Sequence, residues 1–505
     1  MNTINRRQFQ YSIFATYISS IIQAGFILVI NYLLIKYLST EEYGSYHIIL
    51  SINTFTVYLT SFGLASVFSR YIPEFIQKNN SKGLIKLTVG GVVIRFVGVI
   101  FVLFLFYLLK HNIFQYFSFS PFLINNYIGV LCFVFFLKID ETLGPTILAP
   151  YLEHGKLAIV LALQSFVRML IIIASLYCFH SGLEGMLYGF ICMEIFISII
   201  YFFLAVVVTS KNIKQIQHSD NSLFPYARIC RYGGYTFLLA STGLFRDVMV
   251  DNFVITHYLG VDSVAYYGFC YTIINMITHF SPVQMLKMQI SHWVVREYVA
   301  NRNFNTFTWC YRITTTISFA FLVPLLSFTA VFTDEIILLL NNNYADGRLL
   351  IICMFLMVIG NAFQFSYSFA IDALEKVQYR FYANIFSIYN LIADIVLIQF
   401  FGIYGVIFAT GSASILTAIY YHYVTKKIGI QISYNYVGFI KVISNVVITL
   451  LVVILIHLLF IKSIIILCLL FAIMYLFLLL FINPFSKDEW EMFKNLTGIK
   501  LCIAK

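Results

Sequence analysis

Charge is what this sequence lacks. Only 11% of its 505 residues are Asp, Glu, Lys or Arg, against roughly 25% in a soluble domain. So little charge cannot cover a water-facing surface of this size, which excludes a soluble fold. Basic residues outnumber acidic ones, 32 to 22, for a formal net charge of +10. They are dispersed in short segments between apolar runs, so the excess does not read as a nucleic-acid surface. Cysteine is scattered too. None of the nine forms a close Cys-x-x-Cys pair, and most, such as Cys132, Cys192 and Cys468, lie inside apolar runs. There a thiol acts as a small hydrophobe, which argues against a disulfide framework or a metal cluster. No Gly-x-x-x-x-Gly-Lys-Ser/Thr segment is present, which argues against intrinsic ATP hydrolysis. No loop is long enough to hold a soluble domain.

What the chain has instead is apolar length. Hydrophobic residues make up 61% of it and the mean hydropathy is +0.88. A spanning helix needs about 20 mostly apolar residues. About 14 such stretches are expected, at 11–35, 44–68, 84–109, 122–144, 157–179, 184–209, 233–257, 264–286, 309–332, 349–371, 380–401, 403–425, 436–460 and 463–483. The fourth is the weakest, because Lys138, Asp140, Glu141 and Pro145 crowd its end. Arg6 and Arg7 precede a first run too long for a cleaved leader, which reads as a spanning helix. With the N-terminus placed in the cytoplasm, the inward loops collect Arg70, Lys78, Lys82, Lys86, Lys156, Lys211, Lys214, Arg228, Arg231, Lys426 and Lys427 among others. The outward loops hold only Lys36, Lys110, Arg348 and Lys462. Lys and Arg favour the cytoplasmic side, so this bias points to an even number of spans and two cytoplasmic termini.

The chain also repeats itself. Asn31, Tyr37-Leu38, Glu41 and Tyr46 fall in step with Asn252, Tyr258-Leu259, Asp262 and Tyr267 at an offset of 221 residues. Gly182 and Gly185 match Gly402 and Gly405 at an offset of 220, and Leu152-Glu153 match Leu374-Glu375 at 222. A repeat of six spans returns the chain to the same side. The expected architecture is therefore all-α, with two parallel-repeat six-helix lobes, 1–210 and 211–430, followed by two further spans and a cytoplasmic tail, 431–505. Such symmetry is typical of carriers that rock one lobe against the other.

Several segments resemble a known family. They are Tyr37-Leu38 with Glu41-Glu42-Tyr43-Gly44-Ser45-Tyr46, then Phe62-Gly63-Leu64, Arg70-Tyr71-Ile72-Pro73-Glu74, Asp251-Asn252-Phe253 with Tyr258-Leu259-Gly260, and Phe401-Gly402-Ile403-Tyr404-Gly405 with the helix ending at Lys426-Lys427. Together they are similar to the polysaccharide-exporter branch of the MOP superfamily. That branch contains the Wzx-type O-antigen flippases and relates to the MATE transporters and the lipid II flippases. The resemblance runs from about 11 to 427. It implies no enzyme but a flippase of the bacterial inner membrane. The substrate would be an undecaprenyl-pyrophosphate-linked oligosaccharide, a unit of O-antigen, capsule or exopolysaccharide. Membrane lipids, a polysaccharide polymerase and a chain-length regulator are the partners it implies.

Ionisable residues at bilayer depth default to a functional reading. Arg95, Arg168 and Arg246 each lie about 11–13 residues into a span, roughly 17–20 Å from its inner end. Guanidinium groups can replace the lost hydration of a pyrophosphate and match its oxygens bidentately. Arg246 is the preferred of the three, because its span is the repeat-mate of the first, and in the resembled superfamily those helices line the cavity. Asp247 and Asp251, spaced to share one helix face, and Glu194 and Asp394 are candidates for coupling to Na⁺ or H⁺. The competing reading pairs these charges inside the fold, Arg95 and Arg168 with Glu194 or Asp140, and Arg246 with Asp251 or Glu194. Two other functions compete with the flippase. One is a cation-coupled exporter of small molecules with the same fold. The other is a membrane glycosyltransferase or polysaccharide polymerase that uses Glu41-Glu42 on the first outer loop.

Overall fold

The computed structural model describes residues 3–151, 154–215, 224–279, 281–285, 304–355 and 377–486, together with 357–358, 367, 371, 374 and 489. Among them no strand occurs and nearly every residue is helical. The chain divides into two compact units, Met1–Ala265 and Tyr266–Lys505. The first contains α1 (Thr3–Tyr37), α2 (Thr40–Thr60), α3 (Leu64–Gln77), α4 (Ser81–Leu108), α5 (Lys110–Phe117), α6 (Pro121–Asn125) and α7 (Tyr127–Glu141). After them come α8 (His154–Ile173), α9 (Gly182–Gln215), α10 (Tyr226–Gly243) and α11 (Val248–Leu259). The unit boundary falls inside α12 (Val261–His279). The second unit continues with α13 (Pro282–Met285), α14 (Asn305–Val331), α15 (Thr333–Leu340), α16 (Val377–Ala383), α17 (Ile385–Phe401), α18 (Ile403–Ile428), α19 (Tyr436–Leu459) and α20 (Ile464–Ile482).

Eight helical stretches are each long and apolar enough to cross a bilayer, among them α4, α9, α18, α19 and α20. A ninth consists of α2 and α3 together, bent by 52° where they join. The fold is that of a multi-pass membrane protein, and α4 shows why. Its Val89, Val93, Val97 and Phe101 are more than half exposed, while Leu84, Leu87, Arg95 and Val99 are buried. The polar atom faces inward and the apolar face meets lipid, the reverse of a soluble helix.

Several expected spans differ from unbroken helices, three of them where charged or glycine residues cluster. The second, 44–68, breaks at Ser61–Gly63, where Phe62 and Gly63 both take positive φ (44° and 67°). The seventh, 233–257, breaks at a 3-10 turn over Leu244–Arg246. The fourth does not stop at its charged end but widens into a π-helix, Thr142–Leu148, that carries Pro145 inside it. Proline has no N–H to give, and Thr146 Oγ1 donates instead to the Glu141 carbonyl at 2.8 Å. The tenth expected span, 349–371, lies largely outside the described residues, as do Lys287, Arg296, Arg302, Lys376 and the tail lysines Lys487, Lys494, Lys500 and Lys505.

Helix ends follow local chemistry. Ser39 and Glu42 form a reciprocal capping box at the start of α2. The other Glu42 oxygen, Oε1, accepts the Leu183 N–H at 3.1 Å, so one carboxylate caps both α2 and α9. Asn80 caps α4 through Gly83 N at 2.6 Å. Gly182 opens α9 at φ 54°, and Gly402, its match in sequence, precedes α18 at φ 57°. An L side chain held at such a positive φ costs about 1–3 kcal/mol. At Gly182 a Cβ would also run into Glu42 Oε1, whereas at Gly402 it would meet nothing within 4 Å. Gly402→Ala is expected to cost about 1–3 kcal/mol from strain alone, and Gly182→Ala, which adds the clash with Glu42, distinctly more. Thermal unfolding of the two purified variants in detergent checks the order.

Candidate functional site

A group of ionisable side chains is buried between α4, α7, α8 and α9 of the first unit. Arg168 on α8 donates to Glu194 Oε1 on α9 at 2.8 Å, and the Glu194 side chain is fully buried. The Arg168 guanidinium also lies 5.5 Å from the Phe190 ring centre, a cation–π contact that helps to desolvate it. Gln164, one turn before Arg168, donates to Glu194 Oε2 at 2.9 Å and reaches Asp140 Oδ2 on α7 at 3.4 Å. Ser198 Oγ lies 2.5 Å from Asp140 Oδ1 and 2.6 Å from the Glu194 carbonyl oxygen. On the other side of α7, fully buried Lys138 donates to Glu141 Oε2 at 2.8 Å. Arg95 on α4 approaches the same oxygen at 3.9 Å.

Arg95 has a second task. Its Nη1 donates to the Thr60 carbonyl at 3.0 Å. Thr60 is the last residue of α2, so the guanidinium satisfies a carbonyl that the break at Ser61–Gly63 leaves without a helical donor. In a bilayer such a group has no water to turn to.

The two broken spans face each other as an antiparallel seam. Starting from the α12 end, the backbone of Val261 lies against Gly44, and Asn252 donates to Ser51 Oγ at 2.9 Å. Next, Tyr58 donates to Asp247 Oδ2 at 3.1 Å, Phe62 stacks on Phe237 at 5.9 Å, and Arg228 pairs with Glu74 at 3.0 Å. Arg70 lies 5.0 Å from the Tyr232 ring. Gly63 is held within the seam, since a Cβ on it would strike the Gly233 carbonyl and Thr236 Oγ1.

The candidates taken from sequence end up in different places. Arg168 and Glu194, assigned there to substrate and to coupling, meet as an ion pair. Arg95 lies beside Glu141 and not within ion-pair distance of Glu194 or Asp140. Arg246 is half-buried at the end of the 3-10 turn, not in a helix interior. Asp247 does not share a helix face with Asp251: it is the N-cap of α11, in extended conformation (ψ 144°), and accepts the Met249 N–H at 3.1 Å. Asp251 is fully buried one turn into α11. Asp394 belongs to the second unit, where buried Asn390 donates to it at 2.9 Å. Glu42, offered as an acid of a catalytic loop, is engaged in capping two helices. Among the described residues no group of three or more His, Cys, Asp or Glu is placed to hold a metal ion.

Gln164 and Ser198 were not legible as site residues, since a lone amide or hydroxyl in an apolar run carries no signal of its own. Lys138, Asp140 and Glu141 did leave one: their charge made the fourth span look unfit to cross a membrane. A π-helix directly after them is a further mark, since such bulges recur at functional sites.

No family model matches the chain, and no curated protein does. Solved structures do. A lipid II flippase, MurJ, in an inward closed conformation superposes with a TM-score of 0.69 at 18% identity, covering 93% of this chain and 97% of that one. An inward-facing multidrug resistance MATE transporter of the MOP superfamily gives 0.65 at 13%, covering 81% and 98%. A MOP superfamily transporter from Pyrococcus furiosus gives 0.59 at 14%, covering 83% and 95%. The chain shares its fold with these proteins. At these identities the likeness fixes the architecture and leaves substrate open.

Removing one partner of a buried ion pair strands the other and costs about 3–5 kcal/mol, whereas replacing both by apolar groups is often nearly neutral. Arg168→Met is therefore expected to destabilise the protein strongly, and Arg168→Met with Glu194→Leu to recover most of the loss. A double-mutant cycle on unfolding in detergent measures the coupling.

Proposed function

We propose that this chain is a flippase that moves an undecaprenyl-pyrophosphate-linked oligosaccharide from the cytoplasmic to the outer leaflet of a bacterial inner membrane by alternating access. The two repeat halves, 1–210 and 211–430, would be the moving lobes and both termini cytoplasmic. The observation that carries the reading is Arg246, half-buried at a break in the middle of a span, in a fold shared with a lipid II flippase over nearly the whole chain. Irregular backbone at membrane depth is tolerated where it is packed in protein or lines a water-filled cavity. In transporters, broken helices of this kind form substrate sites. A guanidinium there suits a diphosphate, which must shed its hydration to cross. In this proposal Arg246 contacts the pyrophosphate directly. Arg95 and Arg168, each engaged with protein acceptors, shape the first lobe and add to its positive potential.

The alternative within the same fold is a cation-coupled exporter of small molecules, supported by the MATE likenesses. A polymerase or glycosyltransferase is disfavoured by the engagement of Glu42 in capping two helices.

Deletion of the gene in its host is expected to leave complete lipid-linked repeat units on the cytoplasmic face, and wild type to clear them. Arg246→Ala is expected to reach normal membrane levels and clear them at least tenfold more slowly, the effect of losing about 1.4 kcal/mol of transition-state contact. Leaflet-specific labelling of extracted lipid checks it. If single units reach the outer face and only chain length falls, the polymerase reading replaces this one.

A further inference from the structure

At the end of the seam remote from α12, α3 and α10 cross with more positive charge than they neutralise. Glu74 Oε1 accepts from Lys78 at 2.7 Å and from Arg228 at 3.0 Å, so two cations share one carboxylate. Arg70, one turn before Glu74, meets no carboxylate within ion-pair distance among the described residues. Rings hold its guanidinium instead, 5.0 Å from the Tyr232 centre on α10 and 6.0 Å from that of Tyr71 on α3. Arg228 lies 5.4 Å from the same Tyr71 ring. Tyr71 is buried and packs edge-on against Tyr232 at 5.9 Å, whereas both arginines are exposed. An aromatic face attracts the charge of a guanidinium but takes up few of its N–H donors, so the Arg70 fork stays open to an anion.

Depth narrows what that anion is. α3 ends in a polar turn, Lys78-Asn79-Asn80, before α4 begins. Such a turn marks the water edge of a span. Glu74 and Arg70 precede Lys78 by four and eight residues, about 6 and 12 Å along a helix. The headgroup layer is roughly 5–8 Å thick on each face of a bilayer. Glu74 therefore falls within it and Arg70 near its boundary with hydrocarbon, from where a long basic side chain reaches back to the phosphates. A soluble acidic partner does not come to this depth, and a lipid headgroup is already there.

Charge narrows it further. Arg70, Lys78 and Arg228 face the single carboxylate of Glu74. That excess repels a headgroup carrying a choline cation and favours an anionic one. With Glu74 engaging the other two cations, one guanidinium is unmet, which matches the one negative charge of a phosphodiester and not a diphosphate.

We propose that Arg70, held on Tyr71 and Tyr232, binds the phosphodiester of an anionic glycerophospholipid, a resident of the membrane distinct from any transported lipid. The bound headgroup braces the crossing of α3 and α10 from outside. The site does not depend on what the protein transports, so it and the flippase reading fail separately.

Native mass spectrometry of the purified full chain tests it, since retained lipids are identified by their mass. The chain is titrated in detergent with phosphatidylglycerol, phosphatidylcholine or inorganic phosphate. Phosphatidylglycerol is expected to be retained in preference to phosphatidylcholine. Arg70→Gln should weaken its retention at least about tenfold, the loss of one charge-assisted contact. Arg348→Gln, in the second unit, should leave retention unchanged. Should Arg70→Gln not fold, Tyr232→Leu, which removes the ring under the guanidinium, should weaken retention in the same direction. Equal retention of the two phospholipids, or retention indifferent to Arg70→Gln and Tyr232→Leu, overturns the proposal. So does displacement of the lipid by inorganic phosphate, which would make this a free-phosphate site, or by a polyprenyl diphosphate, which would make it part of the transport path.

Discussion

A polar group that faces lipid finds no hydrogen-bond partner there, and much of the first unit follows from that constraint. An unsatisfied carbonyl or an isolated charge away from water costs several kcal/mol. The break after Thr60 is possible because Arg95 reaches across from α4 to its carbonyl. Arg95 in turn is tolerated because Glu141 lies near it. Lys138 holds Glu141 on the same helix. The π-helix that follows is accommodated with Thr146 taking over a carbonyl acceptor. One irregularity thus depends on the next, from the bend of the second span to the charged end of the fourth.

The same constraint explains what was readable in advance. The all-α class and the long apolar spans were legible, because apolar length is a property of the sequence alone. Gly182 and Gly402, matched in sequence at an offset of 220, both take positive φ. The breaks were not legible. Hydropathy averages over a window and cannot see Phe62 and Gly63 leave the helical region, or Arg246 and Asp247 fall at a turn. Reading Asp247 and Asp251 as one helix face assumed regular periodicity at the point where it fails. The pairing of Arg168 with Glu194 was foreseeable as one choice among several, since the side chains sit on different spans and only packing selects the partner. The fourth span shows a general point about membrane sequences: the charges that made it look weakest mark the most densely connected polar site of the unit.

The arrangement also separates two kinds of intramembrane charge. Arg95, Arg168 and Lys138 are held by protein acceptors within one unit, and their first role is to make broken and polar helices compatible with lipid. Arg246 lies in a span that runs antiparallel to α2 and α3 along a seam of mixed chemistry, with an amide–hydroxyl bond, stacked rings and an ion pair at successive depths. A seam of many modest contacts, with a break in each helix, suits a protein whose spans must change conformation without exposing bare polar groups.

Substrate class is the central claim, and proteoliposomes test it most directly. The purified chain would be reconstituted with a fluorescent polyprenyl-diphosphate-linked sugar, and loss of the label from the accessible leaflet followed. The account predicts saturable transbilayer movement of the diphosphate lipid and none of the same prenol without its phosphates. Failure to move the diphosphate lipid, together with expulsion of a small organic cation by the same vesicles, would contradict it.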